Sequence, residues 1–555
     1  MVYNLITSSR QESGRPVDLP LVQCLPVEAQ PPSIQDNTAD VDRLKLALLP
    51  ILRKAGMEGR ECVVPLGALA GVAAGFRAAG FRGAAVVNLL PGRVEVVDFV
   101  ADNRQALPAM ALDLGTTHLE ASLLDLRTGR ELATGHTVNR QIQFGADILS
   151  RIHFAARGRE PDQHGLHILQ QEVVRSVNEL VAELAGKAGV EPENIRALSV
   201  SGNTTMVHLF LGASPYHICR EPYIPLVNAP DPCHGVDLGI AVSPLAPVWI
   251  LPSIGSYFGG DLIAGILASG LDDSETTQML IDVGTNAEVV LGNKEWLIAC
   301  AGAAGPALEG GVAKMGMRAA PGAVEHVSID RDCWALNYRT IENTPAAGIC
   351  GSGLIDLVAE LYLAQIVDFR GKFNRVTPGS DEQKAFLDHR LGREGDMPFF
   401  VVIPGEETVD GNPVILSQPD LDAIMRSKAA MYAILTTLVS QVGVGFEQLG
   451  KIYVAGAFGK HIDPAHAVTL GMIPDLPLSI YQSVGNSSLR GAELVLLSES
   501  CRKRIGEIRR KVTYLELNVN QEFMIRFSGS RFIPHTDPQL FPSVPSFRAG
   551  PDPSA

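Results

Sequence analysis

The chain has 555 residues, 46% of them hydrophobic, which is too long for one ordinary core and rich enough to bury several. Its formal charge of −15 argues against a general affinity for nucleic acid or an anionic membrane. The most apolar stretch, residues 429–446, carries Thr, Ser, Gln and two Gly and reads as a buried helix, not a membrane span; the N-terminus lacks the basic start and apolar core of a secretion signal, so a cytoplasmic protein is expected.

Residues 1–40 are rich in Pro, Gln and Ser, show no periodicity, and read as a linker or extended arm. Residues 41–105 open with the helical spacing DRLKLALLPILRKAG and continue through short apolar helices and strands, a small α/β domain. From 106 to 527 strand pairs closed by Gly turns alternate with helical stretches such as 162–189, the pattern of a larger α/β domain. Residues 528–555 are Pro-rich and expected to be a disordered tail. The eight cysteines form no C-x-x-C pair and no iron–sulfur spacing, and read as reduced thiols. His217, Cys219, Cys233 and His234 match no familiar zinc spacing.

Two short phrases repeat one plan. Residues 111–124 read ALDLGTTHLEASLL, and residues 280–292 read LIDVGTNAEVVLG. Each is an apolar strand, an Asp, a Gly-Thr turn, and a second alternating strand. Such a turn aims backbone N–H groups and hydroxyls at an anion. The Asp at the strand end repels phosphate but can hold Mg²⁺ through water, and the metal bridges it to the phosphates. Two such hairpins facing one another would clamp a polyphosphate. A third phrase, KIYVAGAFGKHIDPA at 451–465, runs an apolar strand into Gly-Ala-Phe-Gly, where small residues let the backbone approach a nucleoside.

In this order the three phrases resemble the actin/Hsp70/sugar-kinase ATPase superfamily. The resemblance implies an α/β, actin/Hsp70-like (ASKHA, ribonuclease H-like) ATPase of two duplicated lobes, with the small α/β domain before it. Longer phrases narrow it: VSGNTTMVHLFLG (200–212), AGAAGPALEGG (301–311), AGICGSGLIDLVAELY (347–362), AGAFGKHIDPAHAVTLGMIPDLP (455–477) and VGNSSLRGAELVLLS (484–498). Together they closely resemble the reductive activators of corrinoid proteins, over about 108–527, and the unit before it looks like that family's middle domain.

The resemblance implies an ATP-dependent return of a corrinoid protein from Co(II) to Co(I) in a methyl-transfer system. ATP would drive a conformational change coupled to an uphill electron transfer. The implied partners are a corrinoid protein, a corrinoid methyltransferase, or both. Activators of this type usually carry an iron–sulfur ferredoxin domain. Here Cys24 and Cys62 cannot supply four ligands, so no cluster is expected in this chain and a separate donor such as a ferredoxin-type protein is. No motif marks a homodimer, although symmetric pairs are common.

By the same resemblance Asp113 and Asp282 hold Mg²⁺ and orient water. Gly115, Thr116, Thr117, Gly284, Thr285 and Asn286 meet the phosphates. Gly456, Ala457, Phe458 and Gly459 lie along the nucleoside, with Gly351 and Ser352 as further contacts at a Gly-rich helix start. Asn203 and Thr204 could face the γ-phosphate and act in catalysis; Glu288 and Glu309 are alternatives for positioning water. Asp261, after two glycines, reads as a helix N-cap; Cys350 reads as a buried thiol, and His118 as a strand residue in place of a further small residue. Two other functions fit the same phrases: a small-molecule kinase of this fold, and a non-catalytic, nucleotide-gated binding module.

Overall fold

The computed structural model describes residues 17–102, 106–157, 160–284, 286–302, 315–317, 319–374, 378–517 and 520–547. Its chain divides into two compact units, Met1–Ala268 with Ser487–Arg510, and Ser269–Asn486 with Lys511–Ala555.

The first unit begins with a four-stranded sheet ordered Val22–Glu28, Arg82–Leu90, Arg93–Val100, Glu61–Val63. Helices Asp40–Lys54 and Leu66–Ala78 cover it with Leu44, Leu48, Leu52, Val72 and Phe76. Phe76 meets Phe81 and Phe99 edge-on at 5.0 and 4.9 Å. Strand Val22–Glu28 departs from the expected arm. It pairs antiparallel with Arg82–Leu90, placing Pro26 opposite Ala84. The strand lies at a sheet edge, where a proline costs no ladder hydrogen bond, and Pro26 hides its alternation in the sequence.

A six-stranded sheet follows, ordered Cys233–His234, Pro247–Ile250, Leu198–Gly202, Pro108–Leu114, His118–Asp125, Glu131–Val138. The last three form an antiparallel meander; Leu198–Gly202 runs parallel to Pro108–Leu114, and Pro247–Ile250 parallel to Leu198–Gly202. One helix on this sheet is Gln163–Ala188, started by the Asp162 side chain on His164 N and stopped by left-handed Gly189. The other is Ser487–Leu497, distant in sequence. Ser199 Oγ donates to Ala492 O at 2.6 Å and Ser122 Oγ to Glu493 Oε1 at 2.7 Å. Its Gly491 has no room for a Cβ, which would sit 2.4 Å from Ala264 O.

The second unit repeats this plan. Its six-stranded sheet is ordered Tyr481–Gly485, Lys451–Ala455, Gln278–Val283, Ala287–Gly292, Leu297–Gly302, Val512–Tyr514. Again a three-strand antiparallel meander is joined through its first strand to two successive parallel strands. The echo between the two phrases is therefore a duplicated sheet. Helix Gln418–Gln441 packs on this sheet, with a Ser417–Asp420 capping box and buried Leu421, Ile424, Met431, Ile434, Leu435 and Leu438. It holds residues 429–441 of the most apolar stretch of the sequence, and among the described residues no helix is long and apolar enough to cross a membrane.

The expected disordered tail is also ordered as far as 547. Ile533 and Phe541 are buried in the second unit's core. Tyr432 packs on Phe541 at 5.2 Å, and Tyr362 Oη donates to Pro545 O at 2.8 Å. The fully buried Lys428 donates to Phe532 O and, at 2.7 Å, to Pro534 O. This segment packs apolar side chains at irregular spacing between prolines, so no helical or strand period announces it.

Candidate functional site

In the first unit the turn between Pro108–Leu114 and His118–Asp125 is held from behind. A Cβ on Gly115 would fall 2.3 Å from His118 O, so only glycine closes this turn. All three turn carbonyls accept hydrogen bonds: Gly115 O from Asn139 Nδ2 at 3.0 Å, Thr116 O from Arg151 Nη2 at 2.6 Å, and Thr117 O from Asn139 N at 2.8 Å. These bonds hold the turn in one conformation. The buried Arg151 guanidinium adds positive potential beneath it. Neither Asn139 nor Arg151 stands in a sequence motif, and both follow the Gly115–Thr117 turn by more than twenty residues.

Parallel pairing sets Ser201 beside Asp113 and Gly202 beside Leu114. Asn203 then caps helix Thr204–Leu211, its Oδ1 accepting from Met206 N at 2.9 Å. Its Nδ2 donates to Thr116 Oγ1 at 3.1 Å, which joins the helix start to the phosphate-type turn. Thr204 turns away and donates to Gly255 O at 3.0 Å. Ser488 Oγ lies 2.7 Å from Asp113 Oδ1 and 2.9 Å from Ser201 Oγ. His118 is exposed at the start of its strand.

Asp261 is not the N-cap expected of it: it is the second residue of helix Gly260–Ser269. Its Oδ1 accepts from Leu262 N at 2.9 Å at the start of helix Gly260–Ser269. A Cβ on Gly259 would fall 2.4 Å from that oxygen and 2.5 Å from Asn203 Cα, so Gly259 lets this backbone close on the end of Leu198–Gly202, while Gly260 lets it close on Leu251. Burial, and then the charge of Asp113, push the Asp261 carboxyl up to about 6. Two mutually repelling carboxylates suit a divalent cation, and Mg²⁺ commonly takes one or two carboxylates plus waters. Among the described residues no group of three or more His, Cys, Asp or Glu could hold a metal. His234 is instead 3.0 Å from Glu95 Oε2.

In the second unit the hairpin Gln278–Val283 and Ala287–Gly292 pairs Asp282 with Glu288, and Gly284 N donates to Asn286 O at 2.9 Å. Thr285 and Glu309 lie outside the described residues. The parallel strand Lys451–Ala455 sets Ala455 beside Asp282. Gly456 follows with φ +73°; a Cβ there would be 3.1 Å from Val283 O and 3.3 Å from Asp282 Oδ1. A Cβ on Gly459 would collide with Val454 O at 2.1 Å. Gly456 thus brings the strand–helix corner close to the Asp282 carboxylate, and Gly459 folds the helix back on Val454. Ala457 and Phe458 have their backbone in helix Gly456–His461, and their side chains lie outside the described residues.

Gly351 and Ser352 open helix Gly351–Leu363. The Ser352 hydroxyl donates to Glu325 O at 2.9 Å, and a Cβ on Gly353 would meet Val324 O at 2.3 Å. These residues fasten the helix to strand Ala323–Asp330, which engages the Ser352 hydroxyl in packing. Cys350 is a buried thiol 3.2 Å from Val324 O.

Comparison with known proteins adds the following. The family model described as the C-terminal domain of RACo, the ASKHA domain, matches residues 276–545, and the RACo middle region matches 108–274. The middle-region label therefore falls on the part carrying the first hairpin, not on the 41–105 domain expected to bear it. The chain is 31% identical over 432 residues to the corrinoid activation enzyme RamQ of Eubacterium limosum, covering 77% of this chain and 71% of that protein. It is 25% identical over 422 residues to the [Co(II) methylated amine-specific corrinoid protein] reductase of Methanosarcina barkeri, covering 73% and 72%. A solved structure of a reductive activator for corrinoid, iron-sulfur protein superposes with a TM-score of 0.83 at 36% identity, covering 97% of this chain and 82% of that one.

Proposed function

This chain belongs to the family of reductive activators of corrinoid proteins, with their ASKHA fold, and from that premise we propose that it is an ATPase that returns a corrinoid protein from Co(II) to Co(I) in a methyl-transfer system. One electron, delivered by a separate low-potential donor of the ferredoxin type, reduces the partner's cobalt. Hydrolysis of ATP to ADP and phosphate supplies the conformational drive for that uphill step.

The observation that carries the nucleotide part is the repeated hairpin. In each unit an Asp sits one residue before the strand end, in register with a parallel strand that leads into a capped or glycine-lined helix start. Asp113 and Asp282 would hold Mg²⁺ through water, and the ion would neutralise phosphate charge. The turn residues Gly115, Thr116, Thr117, Gly284, Thr285 and Asn286 take phosphate oxygens. The stretch 456–459 lies along the nucleoside, with Gly351 near by. Asn203 orients the first turn through Thr116, and Asp261, beside Asp113, positions the attacking water.

The test mixes the full chain with a Co(II) corrinoid protein, a low-potential reductant and ATP, and follows the cobalt spectrum. Co(I) should appear only with ATP. Asp113→Ala and Asp282→Ala should each lower ATP turnover by roughly a hundredfold or more, because each removes preorganised charge at the reacting phosphate. Turnover that needs a sugar or acid and yields its phosphate ester would replace this reading with the kinase one, and nucleotide binding without turnover with the gated module.

A further inference from the structure

Helix Gly351–Leu363 carries two buried acids one turn apart, Asp356 and Glu360, 2% and 7% exposed. They lie against strand Ala323–Asp330, whose short partner Gly348–Ile349 pairs only with Ala323 and Val324. Further along that edge, Val327 N donates to Asp356 Oδ2 and Ile329 N to Glu360 Oε2, both at 3.3 Å. Each carboxylate thus spends one oxygen on a strand amide.

The other two oxygens meet a single imidazole. His466 Nδ1 lies 2.6 Å from Asp356 Oδ1, and His466 Nε2 lies 3.2 Å from Glu360 Oε1. An imidazolium satisfies both carboxylates at once, because each ring nitrogen then donates. His326 Nδ1, from the strand, is 2.5 Å from Asp356 Oδ2. Asp463 caps the helix Pro464–Leu470 on which His466 stands. Burial lowers the His466 pKa, but the bonds to Asp356 and Glu360, with the charges of Asp356 and Asp463, outweigh it and raise it to about 10.

That helix begins soon after helix Gly456–His461, whose first residue, Gly456, lies close to Asp282. His461 Nδ1 makes a second, looser approach to the same strand, 3.6 Å from Glu325 Oε2. The chain leaving the glycine corner is therefore anchored within ten residues by an imidazole whose two ring nitrogens each meet a buried carboxylate.

We propose that His466 is a positioning residue for the nucleotide: bound by Asp356 and Glu360, it fixes the corner 456–459 beside Asp282 and so sets nucleotide affinity. This rests on the ATP-binding reading above.

The test titrates the full chain with Mg–ADP by calorimetry from about pH 6 to about pH 9, across which an ordinary imidazole loses its proton. The wild-type ring stays charged throughout, so the wild-type affinity at each pH, with Asp261 titrating near 6, is the reference against which every variant is read. His466→Gln should bind about tenfold more weakly at every pH. Glu360→Gln keeps the shape and removes one carboxylate, so the ring loses its proton within the range. Its affinity should run from near wild type at the acid end to near that of His466→Gln at the alkaline end, and Glu360→Gln/His466→Gln should again be flat relative to wild type. A merely structural contact would give a loss independent of pH in both single variants. Wild-type affinity in folded His466→Gln, or a Glu360→Gln profile flat relative to wild type, overturns the inference. Should His466→Gln fail to fold, the Glu360→Gln profile decides alone. A wild type that binds no Mg–ADP overturns the ATP reading, and this inference with it, before any variant is compared.

Discussion

At the residue scale the informative positions are those where chemistry and crowding coincide. Asp113 and Asp282 stand out in the sequence because the same acid, at the end of an apolar strand before Gly-Thr, occurs in two copies of one phrase. Asp261 does not, since an Asp opening a helix is ordinary; only folding sets it against Asp113. Its raised carboxyl gives a signed expectation. A carboxyl at 3.8 when unfolded and about 6 when folded binds its proton more tightly in the folded state. Stability therefore falls as pH rises from 3.8 to about 6 and stays lower above. Without Mg²⁺, Asp261→Asn should stabilise the protein by on the order of 1 kcal/mol above that window and not below it, as read by thermal melting against pH. The same variant should lose ATP turnover, which separates a functional acid from a cap.

At the element scale the structure corrects the sequence at both ends. Strand Val22–Glu28 and the segment up to 547 are not legible in the sequence because neither has a clean period: Pro26 interrupts the first, and prolines with scattered aromatics fill the second. Truncation after residue 529 would uncover the sites of Ile533, Phe541 and Val544 and leave the Lys428 ammonium buried without its two carbonyls. Burial already holds that lysine well below its ordinary pKa. The truncated chain should lose more than about 3 kcal/mol in denaturant unfolding, whereas a disordered tail could be removed at no cost.

At the scale of the whole molecule the repeated sheet has a thermodynamic consequence. Each unit carries its own Asp-bearing hairpin beside a parallel strand. A ligand that binds only the folded chain raises its stability by about 2.7 kcal/mol at one hundred times its dissociation constant. Mg–ATP should therefore raise the melting temperature of the wild type in a concentration-dependent way. Asp113→Ala and Asp282→Ala should each abolish the rise, although they lie in different units.

The sequence alone determined the parts that local covalent order controls: the two strand–turn–strand phrases, the glycines their turns require, the long capped helix at 163–188, and the α/β class. Those features depend on residues within one or two turns of each other, so their spacing is printed in the chain. Tertiary structure decided the rest. Ser488 reaches Asp113, Arg151 supports Thr116, and His466 bridges Asp356 and Glu360. Such contacts join residues tens to hundreds of positions apart, where polar side chains must find partners once burial removes water, and no local pattern records which partner that will be.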